Sequence, residues 1–196
     1  METAMSIALG IGLSAACGFR LFVPFLVAGI ASWLGVLPLS EGFEWIGTLP
    51  AILLFGSATI LEIAAYYVPW IDNALDSIAT PAAVVAGIVA AASVMTDLSP
   101  LLKWSVALIG GGGVAGAIQG TTAVLRLIST TLSGGAANPI VSTAEWVASL
   151  ITSLLSILLP LAAVLLVALV LLAGWRTARR DRSKGSPALD PSSHNQ

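Results

Sequence analysis

The chain has 196 residues, of which 57% are hydrophobic and only 9% are charged, with a mean hydropathy of +0.97 and a formal net charge of −2. Soluble domains carry about 25% charged residues, so this composition predicts an integral membrane protein, and the charge balance excludes a basic nucleic-acid-binding surface. Five of the eight basic residues lie close to the carboxyl terminus: Arg176, Arg179, Arg180, Arg182 and Lys184.

The first apolar run, from about Ser6 to Leu37, predicts a helix longer than one bilayer crossing. At about 1.5 Å per residue it exceeds the roughly 30 Å of the hydrocarbon core, so this helix has to tilt, kink or break. Pro24 marks the predicted kink, because it lacks an N–H group and frees the carbonyl of Arg20. The next segment, 38–47, is predicted to be an interfacial turn with aromatic anchors.

Helix 2 is predicted over 48–68, a length that fits one crossing. Its polar residues recur at i, i+3 and i+7, which places Thr59, Glu62 and Tyr66 on one stripe of an otherwise apolar cylinder. The segment 66–76 then combines aromatic residues with two aspartates, and it is predicted to lie at a membrane–water boundary.

Helix 3 is predicted over 80–95, with Thr80 as its cap and Pro81 in its first turn. Helix 4 is predicted over about 101–128. A small polar connection, 129–143, follows it.

Helix 5 is predicted to open with a capping box formed by Ser142 and Glu145. Pro160 either kinks this helix or divides it into two short crossings, so the fold class is an all-α integral membrane protein with five transmembrane helices or, in the alternative, six. The transmembrane domain is predicted over 1–175. The tail, 176–196, is predicted to be disordered, and its basic residues place it in the cytoplasm.

The orientation of the loops follows from that tail. Counting back through five helices places the amino terminus and the 69–79 loop outside. The same count places the 97–103 loop, which contains Lys103, inside.

Small residues recur every four positions in helices 1 and 4, a spacing that lets helix backbones touch in lipid. A shift of 102 residues superimposes the two sets, which are Gly10, Ser14 and Gly18, and Gly112, Gly116 and Gly120. One interpretation is an inverted-topology repeat, in which helices 1–2 correspond to helices 4–5 around helix 3. The other is coincidence in a sequence rich in glycine and alanine.

Arg20 and Glu62 are the first candidates for a polar site, because an arginine at the bilayer centre costs about 2.5 to 3.5 kcal/mol on insertion scales and usually faces the bundle interior. They are predicted to pair, either at a contact for a solute or ion or as an ion pair that fixes helix register. Arg126 is predicted to snorkel to the interface or to line a polar path with Gln119. Tyr66 completes the candidate pathway.

Asp72, Asn73 and Asp76 resemble a minimal two-carboxylate site of the kind that positions Mg²⁺ on a diphosphate. The alternative is that the aspartates are solvated and cap a helix start. No catalytic residue and no resident cofactor are assigned. The single histidine, His194, lies in the tail, so no Ser/His/Asp constellation can be built in the folded part.

Several linked motifs follow one another along the chain: Ser14–Arg20, Glu62–Asp72, Leu75-Asp76, Thr80–Ala82 and Thr121–Arg126. Together they resemble one family of bacterial membrane proteins, catalogued as domain of unknown function 4126. The resemblance covers roughly residues 5–160. It implies a small multi-spanning protein of the bacterial inner membrane and strengthens the interest in the charged residues within the motifs, but it supplies no substrate.

Three functions remain as hypotheses. The first is a transporter or channel-like protein with a polar site near the middle of the membrane, acting on an unknown solute or ion and favouring a homo-oligomer such as a dimer or trimer. The second is a membrane enzyme that acts on a lipid diphosphate with Mg²⁺. The third is a scaffold that binds membrane partners through its glycine-rich helix faces.

Overall fold

The structure is a computed structural model that describes residues 3–65, 69–134 and 136–184, and every regular element within them is a helix. For residues 69–77 and 177–184 only the backbone is described. In chain order the elements are α1 (Thr3–Phe19), α2 (Val23–Trp33), a 3₁₀ turn (Glu44–Gly47), α3 (Leu49–Ala65), α4 (Pro69–Val94), α5 (Pro100–Val106), a π turn (Ala107–Gly112), α6 (Gly113–Ser133), α7 (Asn138–Leu158) and α8 (Pro160–Lys184).

The first apolar run forms a helical hairpin instead of one tilted or kinked helix. Pro24 lies in the first turn of α2, where a missing N–H group costs no helical hydrogen bond. α2 then runs back towards the start of α1. The chain after α2 donates a hydrogen bond from the Ser40 amide to the Ser93 carbonyl at 2.7 Å, and Gly10 of α1 packs against Ala91 at the same level.

The start of the predicted helix 3 was wrong. α4 begins at Pro69, so Thr80 is not a cap and Pro81 lies inside the helix. A proline inside a helix removes one backbone hydrogen bond and costs about 3 kcal/mol in isolation, but packing in a bundle overrides such local preferences. The segment 69–79, predicted as a loop, is therefore helical.

α5, the π turn and α6 form one continuous helical segment of 34 residues, Pro100–Ser133. This segment runs parallel to α1, because contacts advance along both helices together. A Cβ atom on Gly110 would lie 3.9 Å from Ile11, and one on Gly18 would lie 2.6 Å from the Ala115 carbonyl oxygen. The same segment is antiparallel to α4.

α7 and α8 divide the predicted helix 5 at Pro160, which opens α8. α7 begins at Asn138 with Pro139 in its first turn. Ser142 and Glu145 therefore lie inside the helix, and the predicted capping box is wrong. The spacing of Ser142 and Glu145 matches a capping box, but Pro139 starts the helix about one turn earlier.

α8 extends further than the predicted helix. It ends at Lys184, so the stretch from Arg176 to Lys184, predicted as the start of a disordered tail, is helical. Residues 185–196 lie outside the described residues.

Successive helical segments run in alternating directions. The amino end of the bundle holds the start of α1, the connections α2–α3 and α4–α5, and the α7–α8 break, while the carboxyl end holds the end of α8. Lys103 therefore lies at the end opposite to α8's end, which contradicts its predicted position on the side of the tail.

The parallel direction of α1 and α6 also contradicts the inverted repeat, which requires these helices to cross in opposite directions. The physical reason is the α1–α2 hairpin. It adds one reversal of the chain that the apolar pattern does not reveal, because both arms of the hairpin are apolar.

Small residues join α1, α4 and the π turn at one level of the bundle. The Ser14 hydroxyl lies 2.7 Å from the Gly87 carbonyl oxygen, to which it can donate a hydrogen bond. A Cβ atom on Gly111 would lie 2.8 Å from that same oxygen. We call these contacts the glycine seam, which comprises Gly10, Ser14 and Gly18 of α1, Gly87 of α4, and Gly111 of the π turn.

The predicted glycines of helix 4 contribute unequally to packing. A Cβ atom on Gly112 would lie 2.9 Å from Ile88, and one on Gly116 would lie 3.0 Å from Val84. Gly120 has no atom within 4 Å of such a Cβ among the described residues. The close approach is thus confined to the half of α6 nearest the π turn.

The bundle is apolar on its surface and carries polar side chains inside. On α7, the side chains of Leu154 and Leu158 are 45% and 69% exposed. A soluble helix shows the reverse pattern, with its apolar stripe facing the core. The opposite face of α7 is buried and polar, and comprises Glu145, Ser149, Thr152, Ser153 and Ser156.

Two helices in the described part of the chain, Pro100–Ser133 and Asn138–Leu158, are long and apolar enough to cross a bilayer. The apolar stretches of the other helices are shorter, with 10–17 residues each, as in Ile78–Val94 of α4 and Pro160–Ala173 of α8.

Candidate functional site

Four charged residues from different elements meet where α1 turns into α2. Arg20 lies in the hairpin turn, Glu62 on α3, Arg126 on α6 and Glu145 on α7. We call them the charged cluster. Arg126 lies about two helical turns before the end of α6, and Glu145 lies about two turns after the start of α7. The charged cluster is therefore within the bundle and not at its surface.

Arg20 is buried at the tip of the hairpin, with 3% of its surface exposed. Its Nη2 lies 3.0 Å from Oε2 of Glu145 in a salt bridge, and it donates a hydrogen bond of 2.8 Å to the Ser142 carbonyl. Both partners are on α7. The guanidinium group therefore attaches the hairpin tip to the first turns of that helix.

Arg126 binds the same carboxylate from the other side. Its Nε donates to Oε1 of Glu145 at 2.9 Å, and its Nη2 donates to Oε2, which is the two-pronged geometry that strengthens arginine–carboxylate pairs. The side chain of Arg126 is only 12% exposed. The predicted snorkelling of Arg126 to the interface is therefore wrong, because a buried carboxylate holds the side chain inside the bundle.

Glu62 has a different role from the predicted salt bridge with Arg20. Its two carboxylate oxygens accept hydrogen bonds from the backbone amides of Leu21 at 3.2 Å and Phe22 at 3.5 Å. These amides precede α2, and a negative charge at a helix start is favourable. Glu62 still interacts electrostatically with Arg20 and Arg126, so it belongs to the cluster while Arg20 forms its salt bridge with Glu145.

Glu145 is the site residue that the sequence analysis did not single out. Its carboxylate is 5% exposed and binds both arginines. The sequence held one usable signal. Two arginines lie in the apolar part of the chain, and Glu145 is the single acidic residue between Asp97 and Asp181.

The other predicted pathway residues contribute less to the cluster. Gln119 is half-buried on α6, and its carbonyl accepts a hydrogen bond from the Thr122 hydroxyl at 3.0 Å. The Thr121 hydroxyl likewise binds the Ala117 carbonyl of its own helix. Tyr66 lies outside the described residues.

The predicted metal-binding side chains lie outside the described part of the chain. The backbone of Asp72, Asn73 and Asp76 belongs to α4, but their side chains are not described. Among the residues that are described, no group of three or more His, Cys, Asp or Glu side chains could hold a metal ion.

The arrangement can hold charged groups inside the bundle. Burying charged groups is costly unless they are paired and hydrogen-bonded, and the Glu145 carboxylate, shared by two guanidinium groups, offsets that cost. A guanidinium group has five N–H donors. It can therefore bind a second acceptor while it stays paired with Glu145, as Arg20 does with the Ser142 carbonyl.

Comparison with known proteins gives a family and no closer relative. No curated protein and no solved structure matches the chain. The family model described as a domain of unknown function, DUF4126, matches residues 7–180, and so the chain belongs to this family.

Proposed function

We propose that the protein is a multi-spanning protein of the bacterial inner membrane. The support is the reversed polarity of the bundle, with exposed leucines such as Leu154 and Leu158 outside and hydroxyl groups inside on α7. Lipid tails are as apolar as leucine, so such a surface carries no penalty in a bilayer. In water the same surface would exceed the few hundred Å² of apolar patch typical of monomeric soluble proteins.

The basic residues after Trp175 support an orientation with the carboxyl end of the bundle in the cytoplasm. Cytoplasmic flanks of membrane helices carry an excess of lysine and arginine. The amino end, with Lys103, then faces outward. In this orientation the charged cluster lies nearer to the cytoplasmic face than to the outer face.

Within the membrane, the protein acts as a small transporter or channel-like protein for a polar or charged solute. The observation that carries this proposal is the charged cluster at the tip of the α1–α2 hairpin. Charged residues at membrane depth are costly and commonly mark solute or ion pathways. Interrupted helices whose ends meet polar groups inside the bundle are the usual setting of such sites in transporters.

The order of helix directions also supports transport. α1, α2 and α3 run in the same sequence of directions as the α5–α6 segment, α7 and α8, with α4 between the two sets. Parallel repeats of this kind occur in secondary transporters. Small residues recur every four positions from Gly10 in the first helix of one set and from Gly112 in the first helix of the other. This shared spacing agrees with a parallel repeat and not with an inverted one.

A flux measurement on proteoliposomes tests this proposal. We expect purified protein to pass small ions, carboxylates or phosphate above the rate of protein-free liposomes. Arg20→Gln and Glu145→Gln should lower this rate at least tenfold, because each removes one side of a salt bridge that the solute replaces. Arg176→Gln, which changes an exposed charge on α8 outside the cluster, is the matched control and should leave the rate unchanged.

Two results would contradict the proposal. One is a wild-type protein that passes none of these solutes above background. The other is an unchanged rate in folded Arg20→Gln protein, which would assign the charged cluster to stability and favour the scaffold. Native mass spectrometry on the same samples tests the associated expectation of a dimer or trimer.

A further inference from the structure

A partly enclosed apolar cavity of about 230 Å³ lies between four helices. It is smaller than the roughly 300–1,000 Å³ of pockets that enclose whole small molecules, so it fits a narrow apolar chain and not a compact solute. Its apolar walls come from α1, α6, α7 and α8, and they are Phe19, Ile118, Ile151, Leu166, Val167 and Val170.

The cavity lies directly beneath the charged cluster. Ala148 and Thr152, which complete its wall on α7, follow Glu145 by three and seven residues and therefore share its face of the helix. Phe19 precedes Arg20 in the chain. The charged cluster thus lies about one helical turn beyond the cavity wall, on the side of the carboxyl end of the bundle, and the wall itself contains none of its four residues.

The cavity opens towards the apolar surface of the bundle. Ile151 in its wall is 52% exposed, and Leu165 and Leu169 on the outer face of α8 are 63% and 56% exposed. In the membrane placement proposed above, these side chains touch lipid tails. A lipid tail can therefore enter the cavity from the side without passing through water.

We infer that this cavity binds the acyl chain of an anionic membrane lipid whose phosphate group lies beside Arg126. Arg126 is the more accessible of the two arginines, with 12% of its side chain exposed against 2% for Arg20. With the carboxyl end in the cytoplasm, the charged cluster lies at the headgroup side and the cavity points towards the membrane centre, as a lipid of the inner leaflet does. This inference rests on the proposed membrane placement, but it requires no transport.

Native mass spectrometry of the detergent-solubilised chain tests the inference with two added lipids, phosphatidylglycerol and phosphatidylcholine. We expect one retained lipid per chain and at least a tenfold preference for phosphatidylglycerol. Val167→Trp and Ala148→Leu should each fill the cavity and lower this retention at least tenfold. Leu165→Trp adds the same bulk on the exposed face of α8 and should leave retention unchanged.

A photoreactive phosphatidylglycerol on the wild-type protein gives a readout that does not depend on the folding of variants. Labelling should concentrate on peptides that contain Ile151 and Leu166. Labelling spread over all exposed helices, retention unchanged in folded cavity variants, or a second copy of the chain in place of lipid would each overturn the inference. Equal retention of both lipids would overturn the preference for an anionic lipid, because both carry a phosphate group and only phosphatidylglycerol carries a net negative charge.

These results separate the inference from the proposed function. If the wild-type protein passes solute but retains no lipid, the lipid site is wrong while the transport proposal stands. If it retains lipid but passes no solute, the transport proposal fails and the lipid site stands.

Discussion

α1 contributes to two regions that hold the bundle together in different ways. In the glycine seam, the Ser14 hydroxyl contacts the Gly87 carbonyl oxygen, and the backbones at Gly87 and Gly111 lie close together without a single charged group. In the charged cluster, about 9 Å further along the chain direction of α1, Arg20 meets Glu145 through a buried salt bridge. One region depends on small side chains, and the other depends on charged ones.

Under the proposed function, this difference separates a fixed part of the molecule from an exchangeable one. Close backbone packing has one arrangement, since any added atom collides with its neighbour. A guanidinium group can exchange one acceptor for another at a small net cost when the new acceptor also carries charge. We therefore expect changes in the glycine seam to affect stability alone, and changes in the charged cluster to affect both stability and function.

Removing the shared carboxylate should have the largest effect. Glu145→Leu leaves two buried arginines without their common partner, and breaking one side of a buried salt bridge costs about 3–5 kcal/mol. Denaturant titration of the purified protein measures the loss in the free energy of unfolding. Glu41→Gln, an exposed carboxylate in the α2–α3 connection, should change it by less than about 0.5 kcal/mol. A smaller loss for Glu145→Leu than for the seam variants below would reverse the comparison.

Adding one carbon to the glycine seam should come next. A Cβ atom on Gly87 would lie 2.4 Å from Cβ of Ala115 and 3.0 Å from the Gly111 carbonyl oxygen, and such overpacking costs about 1–3 kcal/mol. Thermal unfolding in detergent measures Gly87→Ala. Gly113→Ala is the matched control, because nothing lies within 4 Å of its Cβ position. Equal stability of the two variants would show that the seam is not close-packed.

Removing one hydroxyl from the glycine seam should have a smaller effect. Ser14→Ala deletes the group that lies within hydrogen-bond distance of both the Gly87 and the Gly10 carbonyls, and hydrogen bonds between membrane helices contribute about 0.6 kcal/mol on average. Ser57→Ala provides the comparison, since its exposed hydroxyl binds the Leu54 carbonyl of its own helix. The same unfolding assay should detect a loss for Ser14→Ala alone.

The smallest expected change in stability, and one of opposite sign, is at Gly120, beyond the close contacts of the seam. Gly120→Ala meets nothing within 4 Å in the described residues, and alanine is favoured over glycine inside a helix by up to about 1 kcal/mol. We expect stability to stay equal or rise. A loss comparable to that of Gly87→Ala would extend the seam to the whole predicted glycine stripe.

The sequence predicts the elements of this fold well because long apolar runs are a local signal. Apolar runs locate the helices, and four-residue spacing of small residues locates the close contacts near Gly10 and Gly112. Pro24 and Pro160 were identified as interruptions. A proline shows where a helix is interrupted, however, and not whether the chain beyond it continues or reverses. The hairpin depends on contacts between Ser40 and Ser93, which no local pattern contains.

The charged cluster was predictable only in part for the same reason. Arg20 and Glu62 stood out because each is a charge within an apolar run. Glu145 did not, because its spacing from Ser142 matches a helix cap. Which carboxylate pairs with which arginine depends on the order of helices around the bundle. That order follows from tertiary packing, since the carboxylates of Glu62 and Glu145 both lie near the two arginines.

The π turn between α5 and α6 gives the long helix one residue more than an α-helix of the same length would hold. On a regular α-helix, Lys103 and Ala115 would point in directions about 120° apart, at roughly 100° per residue. The extra residue removes about 100° of that angle. This rotational correction lets Lys103 reach the Ser40 hydroxyl at 3.3 Å while Ala115, fully buried, packs beneath Gly87. If this turn became a regular α-helix without losing a residue, everything after it would therefore rotate by about 100° around the helix axis, and Arg126 would leave Glu145 without any change to either side chain.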